Sequence, residues 1–169
     1  MSTESNLIEK ETAVDTQGFN PSEYKIAINF LEQIPFNKVL GLKPTKLSQD
    51  YCEFKMNMKD DLIGNFLQGI LHGGAISTAL DVTGGAMAMV AAWQRLKNQN
   101  VPSSERPKTL AKLGTIDMRV DFLRPGKGKE FTIGATLLRI GNKVAVTRME
   151  FKNEKDELIA VGTGTYLCG

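Results

Sequence analysis

The single histidine of this 169-residue chain, His72, is followed at once by Gly73 and Gly74 and, nine positions on, by an acid, Asp81. All four lie in residues 69–93, GILHGGAISTALDVTGGAMAMVAAW, where Asp81 is the only acid and no lysine or arginine occurs. A buried carboxylate costs several kcal/mol unless it is paired. Asp81 is therefore either a hydrogen-bonded structural acid or a functional one. If the apolar run is a helix, Gly73 stands at its start, where backbone N–H groups lack intrahelical partners and favour negative charge. A glycine there admits a group to the backbone that a side chain would hold off. An anion-favouring amide and a carboxylate are the chemistry that the rest of the chain must position.

The run itself shows no clean polar face, which is the pattern of a helix buried on nearly all sides. Its side chains are small, so whatever covers it can come close. Gly84 and Gly85 each cost a helix about 1 kcal/mol against alanine, and close packing must be worth more than that. A membrane span needs ~20 mainly apolar residues, and this stretch is long enough. Asp81 near its middle would cost roughly 3 kcal/mol on insertion scales, and alanine and glycine outnumber leucine, so no membrane span is expected.

Around this helix the chain reads as follows. Residues 1–21 are polar and without periodicity and read as a flexible arm, leaving residues 22–169 as one domain. A short amphipathic helix opens at Pro21 or Ser22, with Ser22 as N-cap or Pro21 near N1, and runs to about Gln33. Phe36 to Leu42 makes a further turn. Residues 46–58 alternate, with Cys52, Phe54, Met56 and Met58 on one face and Tyr51, Glu53, Lys55 and Asn57 on the other, as a half-buried strand does. A loop from Lys59 to Gly69 leads into the central helix. After Trp93 the polar segment RLKNQNVPSSERPKT carries Pro102 and Pro107, which forbid a continued helix. Four strands then follow. Ile116, Met118, Val120 and Phe122 alternate with Asp117, Arg119 and Asp121. Phe131 to Leu137 comes after the turn PGKGK, Val144 to Lys152 after Gly141-Asn142, and Leu158 to Leu167 after NEKDE. Short turns make the strands largely antiparallel. The expected fold is α+β, a five-stranded antiparallel sheet curled around one long helix, with exposed sheet edges at which subunits pair.

Composition narrows the class. A net charge of +2 gives no reason to expect nucleic acid as a partner. No charged-then-apolar signal peptide opens the sequence, so the expected location is cytoplasmic. Two cysteines, Cys52 and Cys168, form neither a spaced framework nor a metal set. With one histidine a zinc site is not expected, nor is any cofactor.

With these elements in order, residues 22–168 resemble a hotdog-fold thioesterase of the PaaI/YigI-like acyl-CoA thioesterase group. The most specific part is LHGGAISTALD at 71–81, a small-residue helix opened by H-G-G with an acid nine positions after the histidine. The resemblance implies that Asp81 acts as general base or nucleophile and that the Gly73 N–H polarises a thioester carbonyl. It implies an acyl-CoA substrate, hydrolysed to free acid and CoA. The group tends to carry an asparagine in N-x-x-G-x-x-H-G-G; Gly69 matches, but Phe66 stands at the asparagine position, so Asn65 or Gln68 would serve through a shifted loop. A hydroxyl residue near the attacking water is matched by Thr115.

Helix geometry adds a constraint. Nine residues turn a helix by about 900° and advance it by about 13 Å, so His72 and Asp81 of one helix cannot form a dyad. A shared site would need Asp81 from one subunit and the His72–Gly73 end of another, as in a dimer or a dimer of dimers. One oxyanion donor of the Gly73 kind is typically worth about 10²–10³ in rate.

Gly74, Arg124, Lys127 and Lys129 are candidates for binding substrate, the basic three at coenzyme A phosphates, although a solvated turn explains them equally well. Arg106, Lys108 and Lys112 carry the same ambiguity. His72 is expected to orient the loop rather than act as a base. Two other functions compete: an acyl-thioester hydratase or dehydratase, which would need a catalytic histidine, and a non-enzymatic acyl-CoA-binding protein.

Overall fold

The computed structural model describes residues 19–169. The expected arm over 1–21 lies outside the described residues except for its last three, which belong to the fold. Phe19 is buried and meets Tyr24 edge-on, and Asn20 rather than Ser22 caps the first helix, α1, Pro21–Gln33. The Asn20 Oδ1 accepts from the Glu23 amide at 2.8 Å while the Glu23 carboxylate accepts from the Asn20 amide at 3.2 Å. This reciprocal cap satisfies two otherwise orphaned donors. A second short helix, α2, Pro35–Leu40, follows.

The segment read as one strand over 46–58 is two: β1, Lys43–Leu47, and β2, Tyr51–Asn57, paired antiparallel. Ser48 makes the bend between them. Its amide donates to the Tyr51 carbonyl at 2.8 Å, and its hydroxyl accepts from the Tyr51 amide at 3.1 Å. The main sheet thus has six strands instead of five. Pro44 is tolerated because β1 lies at the edge. The expected loop 59–69 contains a single 3₁₀ turn, Asp60–Leu62, and the strand β3, Ile63–Asn65, which pairs with β4, Ile70–Leu71, at the start of the run expected to be helix.

The central helix, α3, runs Gly73–Asn98, five residues beyond the expected end. Gln94, Arg95, Leu96 and Lys97 are good helix formers, and cations in a last turn suit the helix dipole. A short helix, α4, Arg106–Leu110, sits in the connection. Then come β5, Gly114–Phe122, β6, Glu130–Ile140, β7, Val144–Asn153, and β8, Leu158–Leu167. The sheet order is β1-β2-β6-β7-β8-β5, antiparallel throughout.

The concave face of this sheet holds α3. Cys52, Phe54 and Met56 of β2, Phe131 and Ile133 of β6, and Met149 and Phe151 of β7 are buried against Ala79, Leu80, Met87 and Val90 of the helix. α3 has the length and apolarity of a membrane-crossing helix, but most of that run is buried inside the fold. Contact is closest at Gly84. A Cβ there would collide with the Tyr166 hydroxyl and stand 2.8 Å from the Met149 sulfur and 2.9 Å from the Thr147 hydroxyl. Glycine at 84 is the condition for the helix to lie this deep in the sheet.

Candidate active site

His72 is the N-cap of α3. Its Nδ1 accepts from the Gly74 amide at 2.8 Å, so the neutral ring carries its proton on Nε2. Its own amide donates to the Leu62 carbonyl at 2.8 Å. The strand carrying Gly64 presses on this residue: a Cβ at 64 would stand 2.6 Å from the His72 Cα. These contacts hold the histidine at the start of α3 as its cap. Gly74, a candidate for substrate binding, has given its amide to His72. Gly73 is the first residue of the helix, and its N–H is one of the four with no intrahelical carbonyl to reach. A Cβ at Gly73 would meet only the Phe122 ring at 3.5 Å, so this amide lies beside the end of β5.

Asp81 sits two turns further along and is half-buried. The Thr115 hydroxyl donates to Asp81 Oδ1 at 2.8 Å, and the Tyr166 hydroxyl donates to the Asp81 carbonyl oxygen at 3.1 Å. Thr115 and Tyr166 are directly opposite each other on β5 and β8. A cross-strand pair therefore holds both the carboxylate and the backbone of the acid. Burial, and after it the nearby Asp81 carboxylate, pushes the Tyr166 phenol well above its ordinary range, so it acts as a donor.

Thr115 reaches Asp81 because β5 is irregular. The β5–β8 register slips between Thr115 and Asp117, leaving Ile116 without an opposite number. Simple alternation would put Thr115 on the face away from Met118 and Val120. The bulge brings it onto their face, toward α3, as bulges beside active sites do. Its cost is visible at Ile116, expected on the buried face but 57 % exposed. Phe122, also expected to be buried, is on the helix side but at the rim, and it too is exposed.

A cavity of about 170 Å³ opens at this acid, lined by Asp81, Thr115, Gly114, Val82, Gly85 and Tyr166 among others. Carboxylate, hydroxyl and apolar walls together suit a water held for attack on a carbonyl carbon.

The other expected residues are placed more loosely. Asn65 Oδ1 accepts from the Leu67 and Gln68 amides at 3.1 and 3.3 Å, so its carboxamide oxygen shapes the hairpin turn. Gln68 is exposed on that turn, beside Phe66 and Leu67, which are 84 % and 83 % exposed. Arg124 donates to the Leu158 carbonyl at 2.8 Å, while Lys127 and Lys129 are exposed on the β5–β6 connection. Arg106 is committed to the fold, since it pairs with Glu23 at 3.3 Å, donates to the Val101 carbonyl and lies over the Trp93 ring. Lys108 and Lys112 are exposed. Tyr166 is a neighbour of Asp81 that no motif announces. Its one sequence signal is that Gly162 and Gly164 precede it on the same strand face, leaving room for a large ring.

A long apolar helix wrapped by an antiparallel sheet, capped by H-G-G and carrying an acid one strand away from a hydroxyl, defines the hotdog fold of thioester-processing proteins. Comparison with known proteins agrees. Residues 68–160 match the Thioesterase superfamily. The medium/long-chain acyl-CoA thioesterase YigI of Salmonella typhimurium is 41 % identical over 140 residues, 83 % of this chain and 89 % of that protein. A crystal structure from Shewanella oneidensis, described as related to the thioesterase superfamily, is 42 % identical with a TM-score of 0.81, covering 89 % of this chain and 100 % of that one. The Escherichia coli PaaI protein shares the fold at 17 % identity, with a TM-score of 0.68 over 86 % of this chain and 92 % of its own. This chain belongs to the thioesterase superfamily and is a thioester hydrolase.

Proposed function

We propose that the chain hydrolyses medium- to long-chain acyl-CoA at a site completed by a second copy of itself. The carrying observation is the Thr115–Asp81 hydrogen bond at the mouth of an apolar cavity. Asp81 activates water for attack, or attacks the thioester carbon directly, expelling CoA as the thiolate and leaving a mixed anhydride that water then hydrolyses to the free acid and the Asp81 carboxylate. In the first case water adds to the carbonyl carbon, its proton passes to Asp81, and CoA leaves as the thiol on reprotonation. The developing oxyanion is met by the Gly73 N–H at a helix N-terminus.

Asp81 and Gly73 of one helix are eight residues and about 12 Å apart along the axis, so the amide facing a given Asp81 comes from another protomer. The exposed apolar side chains beside the site, Ile116, Phe122 and Leu123 with Phe66 and Leu67 on the hairpin, support a partner surface there. Lys127 and Lys129, exposed on the rim, would meet the phosphates of CoA. The two free, buried thiols suit a cytoplasmic, reducing location.

The test is complementation. Asp81→Asn removes the acid, and Gly73→Pro removes one N–H at a helix position where proline is otherwise tolerated. Each variant alone should release little thiol from acyl-CoA. Refolded together, they should regain activity, because a mixed pair contains one site with both groups intact. Continued silence of the mixture, with mixed pairs demonstrated by native mass spectrometry, would place both groups in one protomer and end this reading.

A further inference from the structure

We infer that the alkyl tail of the acyl substrate runs from Asp81 into a chamber beneath α1, and that Trp93 at its far wall sets the acceptable chain length. This rests on the acyl-CoA reading above. The chamber, about 400 Å³, lies between α1, the second half of α3 and the α4 region. It shares Phe30, Ile34, Met89 and Leu113 with the smaller cavity at Asp81, so the two are consecutive rooms with common walls. Both open along one stripe of α3, in which Val82, Gly85, Ala86, Met89 and Trp93 recur at helical spacing.

The lining chooses the occupant. Its one ionisable side chain, Glu23, is held by Lys97 and by Arg106, each at 3.3 Å. The remaining walls are aliphatic and aromatic, so a phosphate or ribose would lose its water here without replacement. A chain of methylenes loses nothing and gains about fourfold in affinity for each one buried. The volume falls within the usual ~300–1,000 Å³ of small-molecule pockets. Twelve residues of α3 separate Asp81 from Trp93, about 18 Å. That is the length of an extended chain of roughly 14 carbons at about 1.3 Å per carbon. Arg106 lies over the Trp93 ring, 5.2 Å from its centroid, and holds that side chain in place.

Trp93 is the only tryptophan in the sequence, so the end wall reports on itself. Asp81→Asn protein titrated with saturated acyl-CoAs of 4, 8 and 14 carbons should show a shift in tryptophan emission with the 14-carbon ligand and none with the 4- or 8-carbon ones. In active protein, Ala27→Phe, which fills the chamber from α1, should lower the ratio of kcat/KM for 12-carbon over 4-carbon substrate by tenfold or more. Emission indifferent to chain length, or an unchanged ratio in folded Ala27→Phe protein, overturns the chamber. Failure of the wild type to release thiol from any acyl-CoA overturns the underlying reading instead, and the emission titration then still decides the chamber.

Discussion

Thr115 and Asp81, 34 positions apart in sequence, are joined by a 2.8 Å hydrogen bond from hydroxyl to carboxylate. A bond to a charged group contributes about 1.5–3 kcal/mol. Thr115→Val should therefore lower kcat by about 10- to 150-fold with a much smaller effect on KM. Thr115→Ser should recover most of the loss, and Asp81→Asn should be more damaging than either. Steady-state thiol release measures all three. Equal kcat in Thr115→Val and wild type would remove the hydroxyl from the mechanism.

His72 caps a helix, and its substitutions should behave accordingly. His72→Ala should cost about 0.5–2 kcal/mol of stability, read in chemical denaturation. His72→Asn keeps a capping side chain and should retain both stability and most of the thioesterase rate. A histidine working as an acid or base would lose catalysis equally in both variants.

Gly84 and Gly85 are adjacent, yet alanine should affect them oppositely. At 84 the new methyl meets Tyr166, Met149 and Thr147. Such overpacking costs about 1–3 kcal/mol and should lower Tm by several degrees. At 85 the nearest neighbour is a ring carbon of Tyr166 at an ordinary 3.5 Å. Gly85→Ala gains helix propensity of about 1 kcal/mol, should hold or raise Tm, and should slow turnover by narrowing the cavity at Asp81.

Burial pushes the Cys52 thiol up to about 12, with the Ser48 backbone opposing only in part. The folded protein keeps this proton after the unfolded chain, with its thiol at about 9, has released it. Stability from this group is thus present below pH 9 and is lost as pH rises from about 9 through about 12. Tyr51, raised to about 12 chiefly by burial, adds a loss of the same sign. Denaturation series across pH 8–11 should show falling stability with a shallower slope in Cys52→Ala, and a thiol reagent at pH 9 should leave Cys52 unmodified in the folded state.

The parts of this molecule that follow from local rules can be read from the residues. The period-two alternation of Cys52, Phe54 and Met56 and the small-residue helix around Asp81 fold as their patterns require. The last strand, Leu158–Leu167, falls where its flanking turns put it. What escapes such reading depends on contacts between distant segments. The Ser48 bend that makes six strands of five is set by pairing with Tyr51, not by any break in hydrophobicity. Helix continuation to Asn98 reflects favourable residues before Pro102, which acts only on the chain beside it. Resemblance alone puts Thr115 near Asp81, but the bulge that turns it inward exists only in the register of β5 against β8. Tyr166 is hidden for the same reason: its partner is a backbone carbonyl 85 positions away.

The bulge at Ile116 also bears on two kinds of sequence change. Replacing Ile116 by another residue leaves the count of positions between Thr115 and Met118 intact, so drift there is tolerated. Deleting it removes the bulge and leaves Thr115 two positions before Met118, on the same face, so the hydroxyl still points toward α3. With Ile116 present, the inward hydroxyl depends on the bulge itself: were the same residues flattened into strict alternation, Thr115 would face away from Asp81 and its carboxylate would lose this donor.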